Sequence, residues 1–135
     1  MNGVFHRPPA SLAAFAKRFD VSLAQWNARG RVDLRVDKNC RVAMRQGIGT
    51  QVVLEAGLCQ LPATLAQREE FVDRVMLRVT AHAARRASSL AFDTDSERIL
   101  LQTSVDAEDV VALESGLEAF LNDLDYWSGV VNSQR

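Results

Sequence analysis

Several groups of residues in this chain have the types that do chemistry, and in each case the spacing argues against it. Asp93, Asp95 and Glu97 alternate like the opening ligands of a calcium loop. That loop also needs a glycine at its sixth position and a distant bidentate glutamate, and neither follows. A polar hairpin turn fits better, because aspartate side chains readily bond their own main chain. His6, His82, Cys40 and Cys59 fall in four separate elements, without the close ligand pairs of a zinc motif. No serine stands in a Gly-x-Ser-x-Gly elbow, and no base is spaced to activate Cys59. Gly47-Ile48-Gly49 is followed by neither a Lys-Ser/Thr pair nor a helix, so it reads as a turn rather than a phosphate cradle. Glu108, Asp109, Glu114, Glu118, Asp123 and Asp125 run without an intervening base and read as the solvated face of a helix, not as paired catalytic carboxylates. The expectation is a protein with no enzymatic activity, no metal and no cofactor, working by offering a surface.

The elements that would carry such a surface are readable from hydrophobic period. Met1 to Pro9 is expected to be a flexible tail, with Pro8-Pro9 opening a helix in which Leu12, Phe15, Ala16 and Phe19 form one stripe. Arg31 to Val36 and Cys40 to Met44 alternate with period two around the turn Asp37-Lys38-Asn39. A third strand runs from Thr50 to Leu58 and ends at Leu61-Pro62. From Leu65 to about Ala84 the period changes to 3.6, with Phe71, Val72, Val75, Met76, Val79 and Ala83 in a stripe broader than a surface helix needs. Ser89 to Phe92 and Ile99 to Val105 pair as a hairpin. A last helix from Ala107 to Trp127 places Val110, Leu113, Leu117, Phe120, Leu124 and Trp127 at alternating spacings of three and four. The fold class is α+β in the order α-β-β-β-α-β-β-α, a small antiparallel mixed sheet packed by helices, in one domain over 1–135.

Composition narrows the partners. The chain has 135 residues, enough for one domain with a real core. Its longest run without a charged residue, Ala56 to Gln67, is too short to cross a bilayer, and Lys17 and Arg18 stand where a signal peptide needs its cleavage region. A cytoplasmic protein without a membrane partner is expected, with Cys40 and Cys59 as reduced, small apolar side chains. The formal net charge of -1 hides a split: residues 1 to 60 carry nine Lys/Arg against four Asp/Glu, and the remainder seven against thirteen. The basic residues Arg31, Arg35, Arg41 and Arg45 alternate with apolar ones, as on the solvent face of a half-buried sheet. No interleaved aromatics or nucleic-acid motif accompanies them, so nucleic acid is not the expected partner.

The stretches Arg31 to Met44 with its Val-Asp turn, Val52-Val-Leu-Glu-Ala-Gly-Leu-Cys-Gln-Leu-Pro62, the hairpin Leu90-Ala-Phe-Asp-Thr-Asp and Asp106 to Trp127 occur in an order that resembles the class I chaperones of bacterial type III secretion systems. The likeness spans about residues 10 to 130 and rests on element order, size and the acidic last helix. It implies a homodimer that binds an extended N-terminal segment of a secreted effector, keeps it stable and export-competent, and uses no nucleotide. Carried onto this chain, it implies a dimer interface of Phe71, Val72, Val75, Met76, Val79 and Phe92. The implied partner-binding patch draws on Leu12, Phe15, Phe19, Leu34 and Val36. Members of that family are usually distinctly acidic, whereas this chain is nearly neutral with a basic first half, which leaves room for an acidic partner segment or for a sheet that faces something else. A small regulatory dimer that sequesters another cytosolic protein is the alternative with the same surface physics.

Overall fold

The computed structural model describes residues 13–14, 16–17, 30–35, 41–82 and 88–133, with side chains to Val79 in the first of its helices. Ala13, Ala14, Ala16 and Lys17 are helical, and Ala16 is buried. The labelled elements are β1 (Arg31–Arg35), β2 (Arg41–Gln46), β3 (Gln51–Gln60), α1 (Leu65–His82), β4 (Ser89–Asp93), β5 (Arg98–Asp106) and α2 (Val110–Ser133). The strands form one sheet in the order β1-β2-β3-β5-β4. Every pairing is antiparallel, so the sheet has no parallel component to make it mixed.

Period-two alternation gives this sheet two unlike faces. Val32, Leu34, Val42, Met44, Val52, Leu54, Leu101 and Val105 are buried on one face, in one cluster with Leu113, Phe120, Leu124 and Trp127 of α2, which packs over β3 and β5. A second cluster joins Phe71 and Val75 of α1 to Ile99 of β5 and Val131 of α2. Burying each such side chain is worth about 1.5–3 kcal/mol. Exposed pairs such as Arg31–Asp33, 3.3 Å apart, contribute about 0–1 kcal/mol. The covered face therefore holds the fold together, and the other face tolerates changes of charge.

Turns fix the register. Gly30 and Gly49 take the left-handed backbone, at φ 66° and 64°, that a Cβ disfavours. The Gly30 carbonyl accepts the Gln46 amide at 3.0 Å, and the Gly47 amide donates to the Gln51 carbonyl at 2.9 Å. Between β5 and α2, Asp106 Oδ1 accepts the Glu108 amide at 3.0 Å and the Thr50 hydroxyl at 3.0 Å. Asp109 Oδ1 then caps α2 by accepting the Ala112 amide at 2.7 Å. These two aspartates hold residues 107–109 out of the helix, which begins three residues later than the apolar pattern implies. At its far end α2 passes Trp127 and continues to Ser133, because buried Val131 extends the stripe.

Where α2 crosses the sheet the two backbones come close at Gly116. A Cβ there would lie 2.3 and 2.7 Å from the two methyls of Val105 and 3.1 Å from its Cβ, so no rotation of that side chain relieves the contact. Gly116→Ala gains about 1 kcal/mol of helix propensity against an overpacking cost of about 1–3 kcal/mol. The expected outcome is a lower urea midpoint. Adding Val105→Ala should then cost less in the Gly116→Ala background than in the wild type, a coupling that a double-mutant cycle measures.

Candidate partner-binding and dimer surfaces

Helix α1 starts where Thr64 Oγ1 accepts the Gln67 amide at 3.3 Å, the first half of a capping box. Arg68 fastens this end to the sheet. Its side chain donates to the Pro62 carbonyl and meets Glu97 Oε1 at 2.9 Å, while the Leu61 amide donates to the Glu97 carbonyl at 2.8 Å. Glu97 itself sits at a left-handed φ of 57°. The preceding turn is held by Asp93, which accepts the Asp95 amide at 3.1 Å and the Ser96 hydroxyl at 2.7 Å. The Ser96 hydrogen bond is the main reason that the Asp93 carboxyl is held below its usual range. Among the described residues no cluster of metal-ligating side chains occurs, and the Asp93–Glu97 segment is a self-bonded turn.

Only part of the broad apolar stripe of α1 is used within the protomer. Phe71 and Val75 are buried, Val72 and Val79 are half-buried, and Met76 and Leu65 are 41% and 71% exposed. At about 100° per residue, Leu65, Val72 and Met76 lie beside Phe71 and Val75 on the same flank of the helix, with Leu77 on the opposite one. Phe92, 39% exposed, is on the edge strand β4 and registers with Ile99, the residue against which Phe71 and Val75 pack. The six residues assigned to a dimer contact are thus divided between core and surface. Phe71 and Val75 are protomer core; Val72, Met76, Val79 and Phe92 reach the outside.

The residues assigned to partner binding are less fully described. Leu34 is buried in the main cluster. Leu12, Phe15, Phe19 and Val36 lie outside the described residues, as do His6, Cys40 and the side chain of His82. Cys59 is half-buried against the Phe71 cluster.

The acidic face of α2 needs one correction. Asp123 is not solvated: it is 7% exposed and accepts the Ser88 amide at 3.3 Å and the Ser88 hydroxyl at 2.7 Å. A buried carboxylate is retained only where hydrogen bonds replace its water. The signal was present in the spacing, since Asp123 follows Phe120 by three and precedes Trp127 by four, on the apolar stripe itself. Trp127 is fully enclosed, edge-on to Tyr126 at a centroid distance of 5.2 Å, and its indole N–H has no acceptor among the described residues.

The chain matches the model of the Tir chaperone protein (CesT) family over residues 11–128, and it belongs to that family. It is a chaperone of type III secretion, the class whose element order it resembles. No curated protein sequence matches it. Among solved structures it is similar to a chain of the ExsC-ExsE complex, with a TM-score of 0.65 and 18% identity, covering 90% of each chain. It also resembles a chain of the HopA1-SchA chaperone-effector complex, with a TM-score of 0.58, 13% identity and coverage of 86% and 88%. A third likeness is to a chain of the heterodimeric ExoU-SpcU complex from the type III secretion system of Pseudomonas aeruginosa, with a TM-score of 0.53, 17% identity and coverage of 80% and 93%. At these identities the likenesses bear on the fold.

The Asp123–Ser88 link makes a prediction of its own. Asp123→Ala leaves the Ser88 amide and hydroxyl without this acceptor and should lower stability by about 1–3 kcal/mol. Urea unfolding followed by tryptophan fluorescence reads the loss.

Proposed function

We propose that this chaperone acts as a cytoplasmic homodimer that holds an extended segment near the N-terminus of a secreted effector, keeping it export-competent without nucleotide or catalysis. The observation that carries the reading is the group of exposed and half-exposed apolar side chains on one flank of α1, together with Phe92 exposed on the edge strand β4, in a chain of a chaperone family. Half-exposed apolar side chains grouped on one flank mark a contact surface. Two copies meeting there would cover Val72, Met76 and Phe92. Complexes of such chaperones with their effectors are the subject of the HopA1-SchA structure, and by analogy the bound segment here is a polypeptide. Among the described residues no helix is long and apolar enough to cross a membrane. Leu12, Phe15, Phe19 and Val36, which lie outside the described residues, are the proposed seat for apolar side chains of the effector, with Leu34, close to Val36 in sequence, buried in the core.

Because Met76 is exposed and Val75 is buried, the two neighbours separate assembly from folding. Met76→Asp should halve the mass measured by light scattering at micromolar concentration and leave the thermal melt of the protomer cooperative. Leu77→Asp, on the opposite flank, should leave the mass unchanged. Val75→Asp should unfold the chain, since it puts an unpaired charge against Phe71, Ile99 and Val131. A wild type that is a single chain at that concentration would overturn the dimer. Co-expression with secreted proteins tests the chaperone role: one of them should co-purify through its N-terminal region and be lost when that region is removed.

A further inference from the structure

The face of the sheet turned away from α2 carries the arginines of the basic half, and their pairing is uneven. At one end, Arg31 is bridged to Asp33 at 3.3 Å and Arg45 approaches Glu55 at 3.7 Å, where Glu55 also accepts the Gln102 amide at 2.7 Å. At the other end stand Arg35 and Arg41, Cα partners across β1 and β2, and Arg98 at the start of β5. None of these three makes an ion pair among the described residues. The nearest acid in register is Asp93, the Cα partner of Arg98; the Arg98 charge helps to hold that carboxyl low, but its carboxylate is hydrogen-bonded by Ser96 and the Asp95 amide and makes no contact ion pair with the guanidinium. Three arginines without a contact ion pair among the described residues, two from the basic first half and Arg98 from the second, are therefore gathered at one corner.

That corner is also shaped to receive something. Gly57 has no side chain, and the Arg98 guanidinium lies directly over it: a Cβ at Gly57 would meet Arg98 Nη2 at 1.9 Å. With Ala43 and Gly57 on the floor and Arg41 and Arg98 on the walls, the strands form a depression of about 360 Å³. Helices α1 and α2 both pack on the opposite face and leave this one uncovered. Small floor residues admit a backbone, and two unpaired guanidiniums present planar forks that fit carboxylates.

We infer that the Arg41–Arg98 corner of the open sheet face is a docking site for an acidic, extended stretch of the partner polypeptide. The inference rests on the chaperone reading and adds the chemistry of the segment held. Charge complementarity selects the occupant. A continuous phosphate backbone fits less well, because Asp33 and Glu55 stand on the rim of the same depression. The described residues of this face also offer no aromatic ring for a base to stack on. An extended polypeptide with acids at alternate positions presents a carboxylate about every 6.6–7 Å along one side, on the scale of neighbouring strand positions.

The test uses the full chain and a fluorescein-labelled peptide of alternating Glu and Ser, read by anisotropy, with a Lys-Ser peptide and oligothymidine as controls. Wild type should bind the Glu-Ser peptide, and binding should weaken as salt rises from about 50 to about 200 mM, because exposed charges are screened. The double variant Arg41→Glu/Arg98→Glu should bind at least about tenfold more weakly, with an unchanged melt. Gly57→Asp, which puts a carboxylate beneath Arg98 while keeping every arginine, should weaken binding in the same direction. Equal binding by wild type and both variants overturns the site, and so does equal or tighter binding of the Lys-Ser peptide or of oligothymidine. The chaperone reading fails separately. If a co-expressed secreted protein is retained equally by wild type and the double variant, the corner is not part of the hold while the chaperone stands. If the Glu-Ser peptide binds at the corner but no secreted protein is ever carried, the corner stands and the chaperone role falls.

Discussion

The fold depends on one helix lying across one face of a five-stranded sheet. Leu113, Phe120, Leu124 and Trp127 pack over β3 and β5 in one cluster with the apolar residues of β1 and β2, and their combined burial far exceeds what the surface ion pairs contribute. The contact is keyed at Gly116, where Val105 occupies the space a side chain would need. Sliding α2 by a turn would bring Ala112 or Phe120 to that place and lift the helix from the sheet. Position along the sheet is thus set by sterics as well as by apolar area, and the caps at Asp109 and Thr64 then fix where the helices may start.

Covering one face this way leaves the molecule with two surfaces of opposite character. The flank of α1 beside β4 keeps apolar side chains in water, a cost that association would recover. The sheet face opposite α2 keeps arginines in water at little cost, because their heads stay hydrated. The first surface suits a like copy with the same apolar flank, and the second suits a charged segment. Since both sit on strands and helices whose registers are fixed by the core, neither needs a mobile loop to form.

Period and turn chemistry made nearly all of the described strands and helices legible in the sequence, because alternation and 3.6-residue spacing are direct consequences of one buried face. Strand ends moved by one or two residues, where hydrogen bonds such as that from Leu61 to Glu97 extend a ladder past the apolar run. The start of α2 was misplaced because Asp106 and Asp109 bond amides locally, which hydropathy does not register. Burial within the wide stripe of α1 was not legible: Val75 and Met76 are both apolar and consecutive in the sequence, and only the position of Ile99 decides that one is core and the other surface. Asp123 was misjudged for the opposite reason, since its charge concealed a position that belongs to the apolar stripe. The unpaired end of the basic face could not be foreseen from alternation alone, because which arginines find an acid depends on cross-strand register.

The pairing of β3 with β5 carries a consequence for how the chain is made. Gln51 pairs with Asp106 and Gln60 with Arg98, partners roughly 40 to 55 positions apart, with α1 and β4 between them. During synthesis the meander of β1, β2 and β3 assembles from neighbouring sequence, but the free side of β3 stays unpaired until β5 leaves the ribosome. For that interval the nascent protein presents a ten-residue β3 edge of the kind that seeds misassembly. A protein that shelters other polypeptides before export thus passes through a stage in which its own central strand is the unsheltered one.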